Sequence, residues 1–176
     1  MNSALNRFTA LGFLILFALL LTCFELGRMD IVTANEGQRA VPPMEMIQTG
    51  NYVTPTINGQ DYLAKPPLLY WAIAGVYKLT GAFSEWAARI PTALSGVLLT
   101  FLIYLFVRRH ANPLVALWAG GMTLTSYYVL ERMRVAQLDV PLAAMTTLAV
   151  IFLFESFSVE CPGKRTVRLL VSGTAL

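Results

Sequence analysis

Residues 90–107 read Ile-Pro-Thr-Ala-Leu-Ser-Gly-Val-Leu-Leu-Thr-Phe-Leu-Ile-Tyr-Leu-Phe-Val, a run without a charged side chain. A helix needs about 20 mostly apolar residues to cross a bilayer, somewhat fewer where flanking side chains snorkel. Pro91 lies near the first helical position, where its missing N–H costs nothing. Trp86 and Arg89 precede the run, as is typical of an aromatic and basic anchor at the membrane interface. The stretch therefore predicts a transmembrane helix.

Similar apolar runs on either side predict three further spans, at residues 8–24, 114–130 and 140–154. Another apolar stretch begins at residue 169 and stops at Leu176, which predicts a fifth span that is cut short. Hydrophobic residues make up 56% of the 176 residues and charged residues only 13%, so the apolar content exceeds what a soluble core of this size could bury. We expect an all-α membrane protein, the N-terminal part of a transmembrane helix bundle.

The net charge of +3 is small, and the basic residues form short clusters between the apolar runs. A nucleic-acid surface is not built this way, so we expect no nucleic acid as a partner. Arg7, Arg108-Arg109 and Lys164-Arg165 share one side of the membrane if the aromatic segment before the second span lies on the surface. The positive-inside rule then predicts a multi-pass membrane protein with a cytoplasmic N-terminus. We expect this membrane to be a bacterial cell membrane. The loop 25–89 and the turn 131–139 would face the outside.

The loop 25–89 is far longer than a simple connection needs to be, and long loops are commonly functional. Proline and glycine punctuation, as at Pro42-Pro43 and Asn58-Gly59, fixes turns and indicates a folded loop with short helices. The segment between Pro67 and Gly81 is rich in aromatic side chains and too short to span, which predicts a helix in the membrane interface.

Lys65 stands just before Pro66-Pro67, which places its ammonium at the N-terminal end of the interfacial helix. A cation there opposes the helix dipole. The placement becomes favourable if an anion such as a phosphate binds between the lysine and the free N–H groups of the first turn. The alternative is a lysine that only snorkels to lipid headgroups.

Glu36 lies close to the expected membrane surface, between Asn35 and the Gly37-Gln38-Arg39 segment. A carboxylate in this position could deprotonate a hydroxyl or amine acceptor. Alternatively, Glu36 caps the helix that follows or forms an ion pair with Arg39.

The turn 131–139 places four charged side chains between two spans. Because charges are costly at the bilayer centre, they are expected at the interface or in a wet cavity. Arg132 and Arg134 could bind a phosphate or pyrophosphate, and Asp139 could orient an acceptor or bind a cation. Alternatively, these charges only stop translocation of the chain.

Several segments together resemble the dolichyl- and undecaprenyl-phosphate-sugar transferases, which include the protein mannosyltransferases and the aminoarabinose transferases that modify lipid A. The segments are Glu36–Ala40, Glu45–Gly59, Tyr62–Trp71, Glu85–Pro91 and Arg134–Pro141. The resemblance implies a GT-C fold, a bundle of many transmembrane helices with juxtamembrane helices in the first outer loop and an active site at the outer membrane surface. It also implies a much longer protein.

The resemblance also implies roles for individual residues. Relatives carry an Asp-Glu pair with a catalytic Asp where this chain has Asn35-Glu36, so Glu36 becomes the best candidate for the base, with Asp30 or Asp139 as the alternatives. Lys65 matches the lysine that contacts the donor phosphate. The remaining assignments are Arg39, Arg134 and Arg132 for phosphate binding, and Tyr62 and Asn35 for substrate positioning. A second departure is Pro42-Pro43, which is expected to break the helix that relatives form there.

The expected function is transfer of a sugar from a polyprenyl-phosphate donor to a lipid, glycan or protein acceptor at the outer face of the membrane. Membrane lipids are expected as further partners. The chain alone is expected to be inactive, since part of a bundle cannot enclose a complete site. No cofactor is implied beyond a divalent cation, whose participation the sequence leaves open. The alternative is a non-enzymatic membrane protein, such as a transporter subunit or a scaffold. A transporter would be expected to carry ionisable side chains at mid-membrane depth, and the four predicted spans have none.

Overall fold

A computed structural model of the chain describes residues 2–157. This part contains seven helices and one two-stranded hairpin: α1 (Asn2–Cys23), α2 (Ala34–Thr49), β1 (Thr56–Ile57), β2 (Gln60–Asp61), α3 (Leu68–Thr80), α4 (Glu85–His110), α5 (Pro113–Thr125), α6 (Tyr127–Arg132) and α7 (Asp139–Phe157). The predicted fifth span from residue 169 and the basic pair Lys164-Arg165 lie outside the described residues.

Two of the helices, α4 and α7, are long and apolar enough to cross a membrane, and the apolar parts of α1 and α5 are shorter. All four coincide with the apolar runs of the sequence. Helix α4 begins after Ser84 with the acidic Glu85 in its first turn and ends with Arg108, Arg109 and His110 in its last turn. Charges in these positions complement the helix dipole, which explains why α4 extends beyond its apolar run at both ends.

The single helix predicted over residues 114–130 is wrong, because the structure has two helices there. Ser126 takes a ψ of 123° and separates α5 from α6. The hydroxyl of Thr125 donates to the carbonyl of Gly121. Such local side-chain bonds compete with a continuous helix, and the neighbouring Gly120-Gly121 pair lowers helix propensity further. The break directs α6 towards the turn that carries the charged side chains.

The expected helix break at Pro42-Pro43 is also wrong. Both prolines lie inside α2 and are buried. A proline in a helix interior removes one main-chain hydrogen bond, and here the carbonyl of Gln38 accepts a long bond of 3.5 Å from Nη1 of Arg39 instead. Burial of the two rings against the rest of the loop offsets the lost bonds. The helix continues to Gly50, which ends it with a φ of 74°.

Helix α4 is central to the described part, since it contacts α1, α3, α5 and α7. Two glycines allow close packing near it: the Cα of Gly96 faces Met133, and the Cα of Gly120 faces Leu14. The loop 25–89 is folded as expected, with α2 and α3 packed against each other and against the start of α4 around a core that includes Ile73. Two juxtamembrane helices thus lie over one end of the bundle.

The hairpin between α2 and α3 is fastened to α2 by the carboxylate of Glu45. This carboxylate accepts hydrogen bonds from the hydroxyl of Thr56 and from the main-chain N–H of Asn58 (2.6 Å) and Gly59 (3.4 Å). The Thr56 bond is the main reason that the pKa of Glu45 lies below its usual value; burial opposes the shift and the two N–H groups support it. The segment that leads to Lys65 is therefore held in place.

Candidate functional site

A buried ion pair joins the two ends of the folded loop. Nε of Arg89, at the start of α4, lies 2.7 Å from Oε1 of Glu36 in the first turn of α2, and Nη2 lies 3.1 Å from Oε2. Only 3% of Glu36 and 4% of Arg89 is exposed. The bidentate geometry and the burial make this pair electrostatically strong.

The ion pair is the centre of a larger network. Nη1 of Arg89 donates to the carbonyls of Leu26 and Met29, both at 2.7 Å. The main-chain N–H of Ala136 donates to Oε1 of Glu36 at 3.0 Å. The carboxylate of Glu36, at the start of α2, therefore binds the start of α4 through Arg89 and the turn before α7 through Ala136, while Arg89 also holds the stretch after α1.

This network changes the interpretation of both side chains. Arg89 was interpreted first as an interface anchor, but it is buried and bonded on all sides. Glu36 forms its ion pair with Arg89 rather than with Arg39, the partner that the sequence suggested. Both oxygens of this carboxylate accept from N–H donors, so Glu36 holds α2, the start of α4 and the turn before α7 together. A catalytic role for Glu36 stays a prediction.

The other two candidate bases are exposed carboxylates near this network. Asp30 follows the carbonyls that Arg89 binds, and its own carbonyl lies 3.5 Å from Nη2 of Arg89. Asp139 is the first residue of α7, 3.7 Å from Nη1 of Arg132 and 3.5 Å from the hydroxyl of Tyr128. Asn35 is exposed one residue before Glu36. The structure places all of them on the side of the bundle that carries α2 and α3.

The two arginines of the turn 131–139 make internal contacts. Arg134 donates to the carbonyls of Leu21 (3.3 Å) and Phe24 (2.8 Å), and so caps the C-terminal end of α1. Arg132 donates to the side chain of Gln137 and lies over the ring of Tyr128, 5.1 Å from its centroid. Arg134 also lines a groove of about 330 Å³ together with Arg89.

Lys65 is exposed in the segment between the hairpin and α3, two residues before the helix N-cap at Pro67. It lines a cavity of about 400 Å³ with Val53, Pro55, Leu63, Ala64, Pro66 and Pro67. No side chain caps the N-terminus of α3, so its first-turn N–H groups stay available to an anion. The lining of this cavity includes none of Arg39, Arg132 and Arg134, so the four cations expected to bind phosphate do not share it.

A second polar cluster lies between α2 and α3. The hydroxyl of Tyr62 donates to Oε1 of Gln38 at 3.0 Å, which ties the segment before Lys65 to α2. Arg39 is 7% exposed and Tyr70 is fully buried. Burial raises the pKa of the Tyr70 phenol, and the nearby Arg39 guanidinium offsets part of that rise. Nothing in the sequence distinguishes Tyr70 from the other aromatic side chains of the segment after Pro66-Pro67, so only the structure reveals its burial beside Arg39.

The divalent cation stays a prediction. Among residues 2–157, no group of three or more His, Cys, Asp or Glu side chains is placed to hold a metal ion.

Known proteins match this chain along most of its length. It is 31% identical over 141 residues to an uncharacterized protein of Aquifex aeolicus, a match that covers 80% of this chain and 28% of that protein. It is 27% identical over 173 residues to an undecaprenyl phosphate-alpha-4-amino-4-deoxy-L-arabinose arabinosyl transferase of Proteus mirabilis, covering 97% of this chain and 31% of that protein. The chain therefore spans less than a third of the length of these relatives.

The fold matches two crystal structures of ArnT from Cupriavidus metallidurans, one in the apo state and one bound to undecaprenyl phosphate. In both cases the TM-score is 0.84 and the identity 26%, over 93% of this chain and 30% of the other. The predicted all-α architecture, a GT-C-type helix bundle with juxtamembrane helices, is confirmed by this match. Residues 64–175 match the dolichyl-phosphate-mannose-protein mannosyltransferase family, and the chain belongs to that family.

Proposed function

We propose that the protein is a membrane glycosyltransferase that transfers a sugar from a polyprenyl-phosphate donor to an acceptor at the outer face of the membrane. The observation that carries this proposal is the structural match over 93% of the chain to a protein solved with undecaprenyl phosphate bound. Because that match covers only 30% of the solved chain, the activity belongs to a longer protein to which this chain contributes one part.

Lys65 binds the donor phosphate in this proposal. Its cavity is open, has apolar walls and lies beside the uncapped N-terminus of α3, so it offers an ammonium and main-chain N–H groups to one anion. As the bond to the sugar breaks, negative charge grows on the leaving phosphate. A cation fixed nearby stabilises that charge more in the transition state than in the bound donor, and this difference accelerates the reaction.

The three arginines assist in different ways. Arg39 follows Gln38, the residue whose side chain Tyr62 contacts, and contributes to phosphate binding directly. Arg132 and Arg134 raise the positive potential around the outer turn while they hold Gln137 and the end of α1. Tyr62 and Asn35 position the substrate, Tyr62 through its bond to Gln38.

The base that activates the acceptor is one of three carboxylates, Glu36, Asp30 or Asp139. Glu36 would have to give up its bonds to Arg89 and to Ala136 before it could accept a proton. Asp30 and Asp139 are exposed, and their oxygens are less fully engaged. The geometry therefore favours the two aspartates as bases and Glu36 as the residue that positions the segment on which Asp30 lies.

The proposed topology places the N-terminus in the cytoplasm of a bacterial cell and the loop 25–89 outside its membrane. The donor then approaches from the lipid, with its isoprenoid chain in the bilayer and its phosphate at headgroup depth beside α3. The acceptor is a lipid, a glycan or a protein. We expect no transfer by residues 1–176 alone, because the rest of the bundle is needed to enclose the site.

The test is sugar transfer by the full-length protein in proteoliposomes, with a panel of polyprenyl-phosphate sugars as donors. Lys65→Ala should reduce kcat/KM by about tenfold or more, since a hydrogen bond to a charged group is worth about 1.5–3 kcal/mol. Lys78→Ala is the matched control: Lys78 is an exposed lysine of the same loop, 4.6 Å from the centroid of the Tyr52 ring. Undiminished transfer by Lys65→Ala, or an equal loss in both variants, would contradict the assignment.

A further inference from the structure

Arg39 is a buried cation without a counter-charge among the described residues. Its Nε has no hydrogen-bond partner there, Nη1 makes a long contact of 3.5 Å with the carbonyl of Gln38, and the guanidinium lies within hydrogen-bond reach of the neutral Tyr70 phenol. The other deeply buried arginine of the loop, Arg89, has the carboxylate of Glu36 and two carbonyls. The fold thus gives the charge of Arg89 a counter-charge and leaves the charge of Arg39 without one among the described residues.

An unpaired buried charge is expensive. Removing an ion from water without a counter-charge is strongly unfavourable, and an unsatisfied buried donor adds to that penalty. Proteins keep such groups mainly where something binds to them. The burial of Arg39 therefore indicates that an anion completes its surroundings.

A second unpartnered donor lies next to it. The hydroxyl of Tyr70 is fully buried and its O–H finds no acceptor among residues 2–157, although the Arg39 guanidinium lies close enough to donate to its oxygen. A phenol carries its proton at neutral pH and can donate, and burial raises the pKa of this one further. Tyr62 is close to the Tyr70 phenol, and it bonds the side chain of Gln38, the residue before Arg39.

We infer that Arg39 and Tyr70 form a buried oxyanion-binding subsite that takes a phosphate-type group stripped of its water. The guanidinium supplies charge and planar N–H donors, and the phenol supplies a neutral donor that does not compete for protons. Neither side chain lines the Lys65 cavity, so the inference adds two buried donors to the single donor phosphate that Lys65 binds in the proposed function. The proposed function enters this inference at one point: it identifies the bound group as the phosphate of a polyprenyl phosphate rather than as a free phosphate ion.

The decisive variant is Tyr70→Phe, which removes one oxygen and leaves the packing of the ring intact. Tyr77→Phe is the matched control on the same helix: Tyr77 is also buried, but its hydroxyl already bonds the carbonyl of Ala40 at 3.5 Å. Arg39→Lys is the second variant, since it keeps the charge and loses the buried Nε–H. The full-length protein in lipid nanodiscs is titrated with undecaprenyl phosphate, with undecaprenol and with inorganic phosphate.

We expect Tyr70→Phe and Arg39→Lys each to raise the Kd for undecaprenyl phosphate about tenfold, the loss typical of one hydrogen bond to a charged group. Tyr77→Phe should leave this Kd unchanged, and undecaprenol should bind all four proteins alike. Wild-type affinity in Tyr70→Phe would overturn the inference, as would an equal loss for undecaprenol, which would indicate a packing role.

The two proposals fail separately. If inorganic phosphate binds in a Tyr70-dependent manner while undecaprenyl phosphate does not bind at all, the subsite stands and the lipid-linked donor is wrong. If sugar transfer proceeds from a polyprenyl-phosphate donor and neither phosphate ligand depends on Tyr70, the proposed function stands and the subsite is wrong.

Discussion

Replacement of Arg89 by methionine should destabilise the protein strongly. Methionine fills much of the space of the arginine stem and removes the guanidinium. The change leaves Glu36 as a buried carboxylate with one remaining donor, the N–H of Ala136, and it frees the carbonyls of Leu26 and Met29. Breaking a buried ion pair from one side typically costs about 3–5 kcal/mol, and we expect a loss in that range.

The assay is thermal unfolding of the full-length protein in nanodiscs, followed by tryptophan fluorescence. The matched control is Arg28→Met, which removes the arginine of an exposed pair with Glu25 at 2.8 Å, close to the 2.7 Å of the buried pair. Exposed pairs contribute about 0–1 kcal/mol, so the control should unfold almost as the parent does. The double variant Arg89→Met with Glu36→Gln should recover part of the loss, because no unpaired charge remains.

The reasoning is refuted if Arg89→Met and Arg28→Met shift the unfolding temperature equally. It is also refuted if adding Glu36→Gln makes Arg89→Met worse, because the buried carboxylate would then not be the source of the cost.

Two further predictions concern the parts that frame the site. The pKa of Glu45 is lowered in the folded protein, so its contribution to the hairpin is fully present above the ordinary value of 4.5 and is lost as the pH falls through the lower folded value. As the pH falls through that window, the protection of the Asn58 amide from hydrogen exchange should decrease. Glu45→Gln should abolish this pH dependence. Protection in the parent protein that does not change with pH would contradict the prediction. Gly96→Ala should lower stability by about 1–3 kcal/mol, because the added Cβ would lie 2.8 Å from Sδ of Met133. Gly121→Ala, whose Cβ would meet nothing within 4 Å, is the control, and equal thermal shifts in the two variants would contradict the packing.

The sequence predicted the helices that depend on local composition. The apolar runs around residues 90–107 and 140–154 became α4 and α7, and the aromatic segment after Pro67 became α3. These helices are predicted by the hydropathy of their residues and by proline and glycine at their ends. Both signals influence only residues a few positions away. Such signals are visible in one sequence without any tertiary information.

Elements that depend on packing were harder to predict. Helix α2 continues through Pro42 and Pro43 because both rings are buried, and burial depends on α3, which follows much later in the chain. The break at Ser126 likewise depends on packing, because it allows α6 to lie beside α4. Local propensity is a weak prior where tertiary contacts decide.

The candidate site was predicted residue by residue but not as an arrangement. The pairing of Glu36 with Arg89 spans 53 residues, and the bond from Ala136 to the same carboxylate spans 100. Neither partner has a sequence signal beyond being charged or lying in a turn. The missing counter-charge of Arg39 is equally invisible in the sequence, because only the structure shows which side chains surround a buried residue.

Photocrosslinking tests most directly whether this chain binds an isoprenoid phosphate beside α3. A polyprenyl phosphate with a diazirine in its first isoprene unit is irradiated with the full-length protein in nanodiscs, and the labelled peptides are mapped by mass spectrometry. We predict labels around the Lys65 cavity, in residues 53–67, which an excess of unlabelled polyprenyl phosphate removes. Labels confined to the apolar groove between α4 and α7, near Arg109 and Glu155 at the other end of α4, would contradict the account.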